Sequence, residues 1–205
     1  MEREIRKLLT TCVLIICGVS LNAQLSEHGL NFNGGSGWVN VKTDTYSERD
    51  KGFGYKAGAS VGYRLRFKEL VPKYFHYDID VNIGSKLLHP ALKPGEYGKT
   101  KADHDFFTSI CGTANYSIMK NLSIGLGVEP TYYYKKEVFR VHYRERNSHF
   151  DIPLIAKVAY KFKAVEVSIY GKNGLINVLG SKSYQHFNYK YRDIQMSLFI
   201  PLKTK

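Results

Sequence analysis

The sequence predicts an all-β protein, a closed, eight-stranded, antiparallel up-and-down barrel that crosses a membrane. Three observations predict it. Apolar and polar residues alternate over runs too long for ordinary strands, as in GFGYKAGASVGYRLRF over 52–67, where Phe53, Tyr55, Val61, Tyr63, Leu65 and Phe67 share the odd phase. The connections between such runs alternate strictly between short and long. Tyrosine and phenylalanine gather near the ends of the runs, at two levels.

A period of two puts alternate side chains on opposite faces of a strand. Globular strands run about 5 to 6 residues, whereas about 9 to 11 tilted residues cross a bilayer core. The first strand is read over 29–41, GLNFNGGSGWVNV. Leu30 and Phe32 share one phase there and Val39 and Val41 the other, so a β-bulge is expected across Gly34-Gly35-Ser36-Gly37. The second strand is 52–67. In the third, 75–83, Phe75, Tyr77, Ile79, Val81 and Ile83 alternate with His76, Asp78, Asp80 and Asn82. The fourth, 106–118, carries its apolar phase on Phe106, Ile110, Ala114, Tyr116 and Ile118. Strands over 122–136 and 150–162 follow, then one through Val165, Val167 and Ile169, and a last one from Ile194 to Leu202.

The short connections are 68–73, 119–121 and 163–164, and the long, polar ones are 42–51, 88–104, 137–149 and 172–190. Transmembrane barrels have short turns at one end and long external loops at the other. In lipid every backbone N–H and C=O must be paired within the protein, so a spanning sheet closes on itself. An eight-strand interior is only wide enough for side chains.

The opposite face of each strand should therefore be a packed polar interior. Lys56, Arg64, Arg66, Asp78, Asp80, Glu129, Lys157 and Glu166 are predicted to form an ion-paired lumen network, with Lys86, Asp151, Lys161 and Gln195 on the same face. Two aromatic girdles are expected. Tyr132, Tyr133, Tyr134, Phe53, Tyr55, Phe106, Phe107, Tyr189 and Tyr191 mark the external level, and Tyr63, Phe67, Tyr74, Phe75, Tyr116, Tyr160 and Phe162 the level of the short turns. A soluble barrel such as a lipocalin is the rival fold, with its apolar face turned inward.

Residues 1–23 read as a secretory signal peptide: charged MEREIRK, the apolar run LLTTCVLIICGVSL, and a small-residue cleavage point after Ala23. Residues 24–205 are then the barrel domain. Removal takes away Cys12 and Cys17 and leaves Cys111, on an inward phase, without a disulfide partner. The net charge of +12 falls by one, since Arg3, Arg6 and Lys7 leave with Glu2 and Glu4, so the remaining chain stays basic at +11. An exported basic chain without a basic helix or RNA-binding motif points away from nucleic acid and toward lipid phosphates.

In the third external loop, Lys135, Lys136, Arg140, Arg144 and Arg146 outnumber Glu137 and Glu145. They are candidate contacts for outer-membrane lipids, the phosphates of lipopolysaccharide in particular, or for other envelope proteins. Ser148, His149, Asp151 and His142 fall in one region and His89, Asp103, His104 and Asp105 in another, but a nucleophile, base and acid need a geometry that residue types alone do not supply. No ligand spacing typical of a metal site is present. No cofactor, metal or catalytic residue is expected, and the lipid A-modifying enzyme stays as an alternative.

The LNAQ segment, LNFNGG, GYKAGASVGYRL, LSIGLGVEPTYYY and FDIPLIAKVAYKF together resemble the small Gram-negative outer-membrane β-barrels of the PorT-like type. The resemblance spans essentially all of 24–205. It implies insertion in the outer membrane of a Gram-negative bacterium, and it allows a role as a barrel subunit of an envelope secretion or assembly complex. The ending departs from the pattern. Such barrels commonly finish on an aromatic residue that assembly machinery reads, whereas this chain finishes Leu202-Lys203-Thr204-Lys205, with Phe199 the nearest substitute.

Overall fold

A computed structural model describes residues 23–42, 54–69, 74–89, 103–135, 148–178 and 188–204. The predicted alternation becomes strands: β1 (Ala23–Lys42), β3 (Phe75–His89) and β4 (Asp103–Ser117) are longer than the sequence suggested, and β2 (Gly54–Glu69) keeps the predicted length, two residues further on. Next come β5 (Leu122–Val128) with β6 (Thr131–Tyr133), and β7 (Phe150–Asp151) with β8 (Leu154–Phe162). β9 (Val165–Asn173) and β10 (Asn188–Thr204) complete the wall. The signal-peptide reading falls on residues outside those described, apart from Ala23.

Each wall strand pairs antiparallel with its sequence neighbours, and β10 pairs back onto β1 to close the sheet. The segments β5 with β6, and β7 with β8, are each one wall strand interrupted at a proline. The breaks at Glu129-Pro130 and Ile152-Pro153 lie side by side because β5 pairs β8 and β6 pairs β7. Proline cannot donate to the ladder. Its carbonyl still accepts, and Glu129 N–H to Pro153 O (3.0 Å) and Ile110 N–H to Pro130 O (3.0 Å) carry the sheet across the gap. The result is the predicted closed barrel of eight antiparallel wall strands.

Burial runs inside out relative to a water-soluble fold. Outward-facing Val61, Val81, Ile83, Ile110, Leu126, Val158, Ile169 and Met196 are exposed, Ile83 by 59% and Leu126 by 71%. Inward-facing Arg64, Asp78, Asp80, Lys86, Asn115, Lys157, Glu166 and Ser197 are buried, with Arg64 at 0%. The outward residues lie opposite one another across the ladder, as in Phe32–Val61–Ile83 and Val158–Ile169–Met196, so they form a band around the wall. Water gives such a band no stabilisation, whereas a bilayer removes it from water.

Register shifts place three bulges among the described residues, and one corrects the sequence reading. Gly35 pairs with Gly58 but Gly37 with Tyr55, and on the other side Tyr55 pairs with Leu88 while Ala57 pairs with Leu87. The extra residue is therefore Lys56 in β2, not one of the β1 glycines. β1 keeps its phase past them, with Leu30, Phe32 and Trp38 all exposed and no shift against β10 between Gly34 and Gly37. The glycines let β1 follow the bend that its neighbour imposes. The side chains of Lys56, Val39 and Val41 lie outside the described residues. The second bulge is at Ser26, between the pairs Leu25–Phe67 and Glu27–Arg66. It puts Leu25 on the outer face, two residues from an inward Glu27 that keeps the phase of Asn31. The third is Leu202 in β10, since His28 pairs with Lys203 and Gly29 with Pro201.

Among the short connections, Lys163 adopts a left-handed φ of 44° in the two-residue link between β8 and β9. Such tight hairpins demand a positive φ, and a lysine there carries a steric cost that glycine would avoid.

Candidate functional site

The barrel's chemistry is concentrated in its interior. Toward the short-turn end, Arg64 and Arg66 project from β2 and meet carboxylates of β3 directly opposite in the register, Asp80 and Asp78. Both pairs are two-pronged. Arg64 Nε and Nη2 donate to Asp80 at 2.6 and 2.9 Å, and Arg66 Nε and Nη2 donate to Asp78 at 2.7 and 3.0 Å. This fork geometry is why arginine suits such sites better than lysine.

Residues from across the lumen tie the two pairs together. Glu166 of β9 accepts from Arg64 Nη1 (3.0 Å) and Arg66 Nη2 (2.9 Å), and Lys157 of β8 donates to Asp78 (2.7 Å). Glu27 of β1 accepts from Arg66 Nη1 (3.2 Å) and from Lys161. Tyr170 O–H accepts from Arg64 (2.6 Å), and the Phe199 ring lies under both guanidiniums, 4.9 and 5.3 Å from its centroid. Four lumen cations (Arg64, Arg66, Lys157, Lys161) thus face four carboxylates (Glu27, Asp78, Asp80, Glu166), with Lys68 at the rim 3.9 Å from Glu27. The balance matters because an unpaired charge here would lose its hydration without replacement.

A second, smaller pair sits beside the proline breaks. Lys172 reaches Glu129 at 2.5 Å, and Ser109 Oγ donates to the same carboxylate at 2.7 Å. Cys111 is buried nearby against Ile155 and Tyr170. Toward the long-loop end, Lys86 donates to Asp193 (2.9 Å) and Tyr133 O–H (3.1 Å), with its ammonium 4.2 Å from the Tyr191 ring centroid. Tyr191 O–H in turn donates to Asp105 at 3.0 Å. The space between these layers, lined by Asn33, Gly58, Ser60, Lys86, Phe107 and Gln195, is too small to hold a water molecule.

Of the residues predicted to share one network, the structure brings together Arg64, Arg66, Asp78, Asp80, Lys157 and Glu166. Glu129 belongs to the separate pair with Lys172. Glu27 joins the network although the sequence reading began the first strand beyond it; it continues the inward phase of Asn31 and stands opposite Arg66 in the register.

The aromatic reading needs correction at the external level. Tyr132 and Tyr134 are exposed, as a girdle requires, but Tyr133, Phe107 and Tyr191 are buried in the lumen. Consecutive aromatics on a strand alternate faces, so Phe106-Phe107 and Tyr132-Tyr133-Tyr134 divide between the outer face and the interior. Phe53 lies outside the described residues, as do the side chains of Tyr55 and Tyr189. At the other end Tyr63, Tyr74, Phe75, Tyr116, Tyr160 and Phe162 are all exposed.

Asp151, Ser148 and His149 do not assemble into a relay. Asp151 Oδ1 accepts the backbone N–H groups of Ile152 (2.8 Å) and Ile176 (3.0 Å), Ser148 Oγ donates to Phe150 O (2.8 Å), and His149 Nδ1 lies 2.7 Å from Tyr133 O. Asp103 is bound to Lys135, and His104 Nδ1 lies 3.2 Å from Ser85 Oγ. His142, Lys136, Arg140, Arg144 and Arg146 lie outside the described residues.

No family model matches the chain, and no curated protein matches it. Among solved structures it is similar to the outer membrane protein OprG from Pseudomonas aeruginosa, with a TM-score of 0.43 and 10% identity over 88% of this chain and 96% of that one.

Proposed function

We propose that the chain is an integral outer-membrane β-barrel protein of a Gram-negative bacterium, non-enzymatic, and that it acts through its surfaces. The observation that carries this reading is the inversion of the barrel: a closed wall with an apolar exterior around a lumen filled by matched ion pairs. A lumen packed in this way supports a scaffold or interaction role better than a conduit. The basic third external loop, with Lys135, Lys136, Arg140, Arg144 and Arg146, is the part of the sequence suited to lipopolysaccharide phosphates or an envelope partner.

Membrane fractionation of cells making the full chain tests the location. Recovery in the outer-membrane fraction, with migration that changes on heating, is expected, and recovery in the soluble periplasm contradicts the reading. The second reading, a subunit of a PorT-like secretion or assembly complex, draws on FDIPLIAKVAYKF and the other resembling segments. Co-purification in mild detergent separates the two: a stable set of partners favours the complex, a lone barrel the simpler role. The lipid A-modifying alternative predicts altered lipid A in a deletion strain, read by mass spectrometry. Unchanged lipid A removes it.

A further inference from the structure

The short-turn end of the barrel carries a ring of exposed lysines that only Lys68, at 3.9 Å from Glu27, links to the lumen network. Lys68 at the end of β2, Lys120 in the β4–β5 turn and Lys163 in the β8–β9 turn are all exposed. In the sequence, Lys73 belongs to the β2–β3 connection, and Lys203 and Lys205 close the chain, with Glu69 the one acidic residue in these stretches. Among the described residues at this end the carboxylates of Glu27, Asp78 and Glu166 are buried and paired with lumen cations; Lys68 lies 3.9 Å from Glu27 but stays half-exposed, and Lys120 and Lys163 have no carboxylate set against them among the ion pairs of this end.

The lysines are spread around the barrel. In the wall order β1-β2-β3-β4-β5-β8-β9-β10, the β2–β3, β4–β5 and β8–β9 links and the end of β10 stand at successive intervals around the circumference. A protein partner docking on one side would need its cations on one side. A ring fits something that surrounds the barrel. The same turns are also apolar at their tips: Met119 is 66% exposed and Ile118 49%, beside Lys120. Tyr63, Tyr74, Phe75, Tyr116 and Tyr160 stand immediately behind them in the wall. Apolar tips, an aromatic layer and cations at one level match the headgroup zone of a leaflet, where lysine stems lie along apolar surface and the ammonium reaches phosphate.

We propose that this rim binds anionic phospholipid headgroups of the leaflet around the short turns, each exposed lysine pairing with a headgroup phosphate. The inference rests on the membrane reading above and adds the class of lipid and the residues that hold it. The test uses the full chain reconstituted into phosphatidylcholine vesicles containing about one third phosphatidylglycerol, with spin-labelled lipids of each kind reporting the composition of the annulus. Wild-type protein is expected to favour phosphatidylglycerol about two- to five-fold at low salt. The preference should fall toward parity near 1 M salt, where the screening length is about 3 Å.

The variant Lys68→Gln/Lys120→Gln/Lys163→Gln alters only exposed side chains and should lose most of the preference, whereas Lys68→Arg/Lys120→Arg/Lys163→Arg, which keeps the charge at the same places, should keep it. Equal association of both lipids with wild-type protein, or a preference that survives the triple change to glutamine, overturns the proposal while leaving the membrane reading intact. Failure of the wild-type chain to insert into either vesicle overturns the membrane reading itself, and the proposal with it.

Discussion

Replacing Arg64 by methionine isolates what the lumen network contributes. The guanidinium holds Asp80 by two bonds and also reaches Glu166 and Tyr170. Without it, the other partner shown for Asp80 is the amide of Asn31 at 3.3 Å, and three cations face four carboxylates. Breaking a buried pair from one side costs about 3–5 kcal/mol. Asp80→Asn keeps the shape and leaves Arg64 with Glu166 and Tyr170, so about 1–3 kcal/mol is expected. In Arg64→Met/Asp80→Asn the counts return to three and three, and the double change should cost about 2–3 kcal/mol less than the sum of the singles. Urea unfolding in lipid vesicles, followed by fluorescence of the single tryptophan, Trp38 on the outer wall, measures all three. A cost below about 1 kcal/mol for Arg64→Met, or strict additivity, would mean that water screens the guanidinium and that the network is not the sealed interior described above.

Other outcomes follow from the wall itself. Ile83→Arg places a charge on the outer band and should cost about 2–4 kcal/mol in vesicle-based unfolding if it sits near the bilayer midplane, with poorer insertion; a soluble barrel would tolerate it. Gly127→Ala should destabilise by about 1–3 kcal/mol, because a Cβ there would stand 2.1 Å from the Gly112 carbonyl oxygen, a backbone atom that cannot swing away; wild-type stability would refute the close approach. Lys163→Gly should stabilise by roughly 1 kcal/mol by relieving the left-handed φ, read as a higher urea midpoint, and a lower midpoint would contradict the turn geometry.

The architecture was legible in the sequence because lipid and a narrow lumen impose a strict period of two, which survives in residue types even when no strand is known. Arg64, Arg66, Asp78 and Asp80 could be paired from phase and hairpin order alone, since adjacent strands joined by a short turn must run in register. Glu27 shares the inward phase of Asn31, but the inserted Ser26 breaks the alternation just before it, so the periodic pattern gives no sign that the strand extends below Gly29. Lys56 shows the same limit from the other side: the glycines in β1 advertised an irregularity, but the extra residue was taken up by β2. The burial of Tyr133 and Phe107 follows from alternation, since position along the wall sets an aromatic's level and only its phase sets its face. The two proline breaks escaped notice because Pro130 and Pro153 sit in otherwise continuous strand patterns, and only the pairing of β5 with β8 shows that they meet. The basic external loop remains a matter of sequence, since Lys135 is its one described member and is engaged with Asp103.

The central claim is that the odd face of β3 meets lipid and the even face meets packed protein. Spin labels at Val81 and Ile83, and at Asp80 and Asn82, in an otherwise cysteine-free chain reconstituted in vesicles measure this directly through collision with oxygen and with a water-soluble nickel reagent. An inside-out barrel gives high oxygen and low nickel accessibility at Val81 and Ile83, with low accessibility to both at Asp80 and Asn82. High nickel accessibility at Val81 and Ile83 would place that face in water and contradict the membrane-spanning barrel.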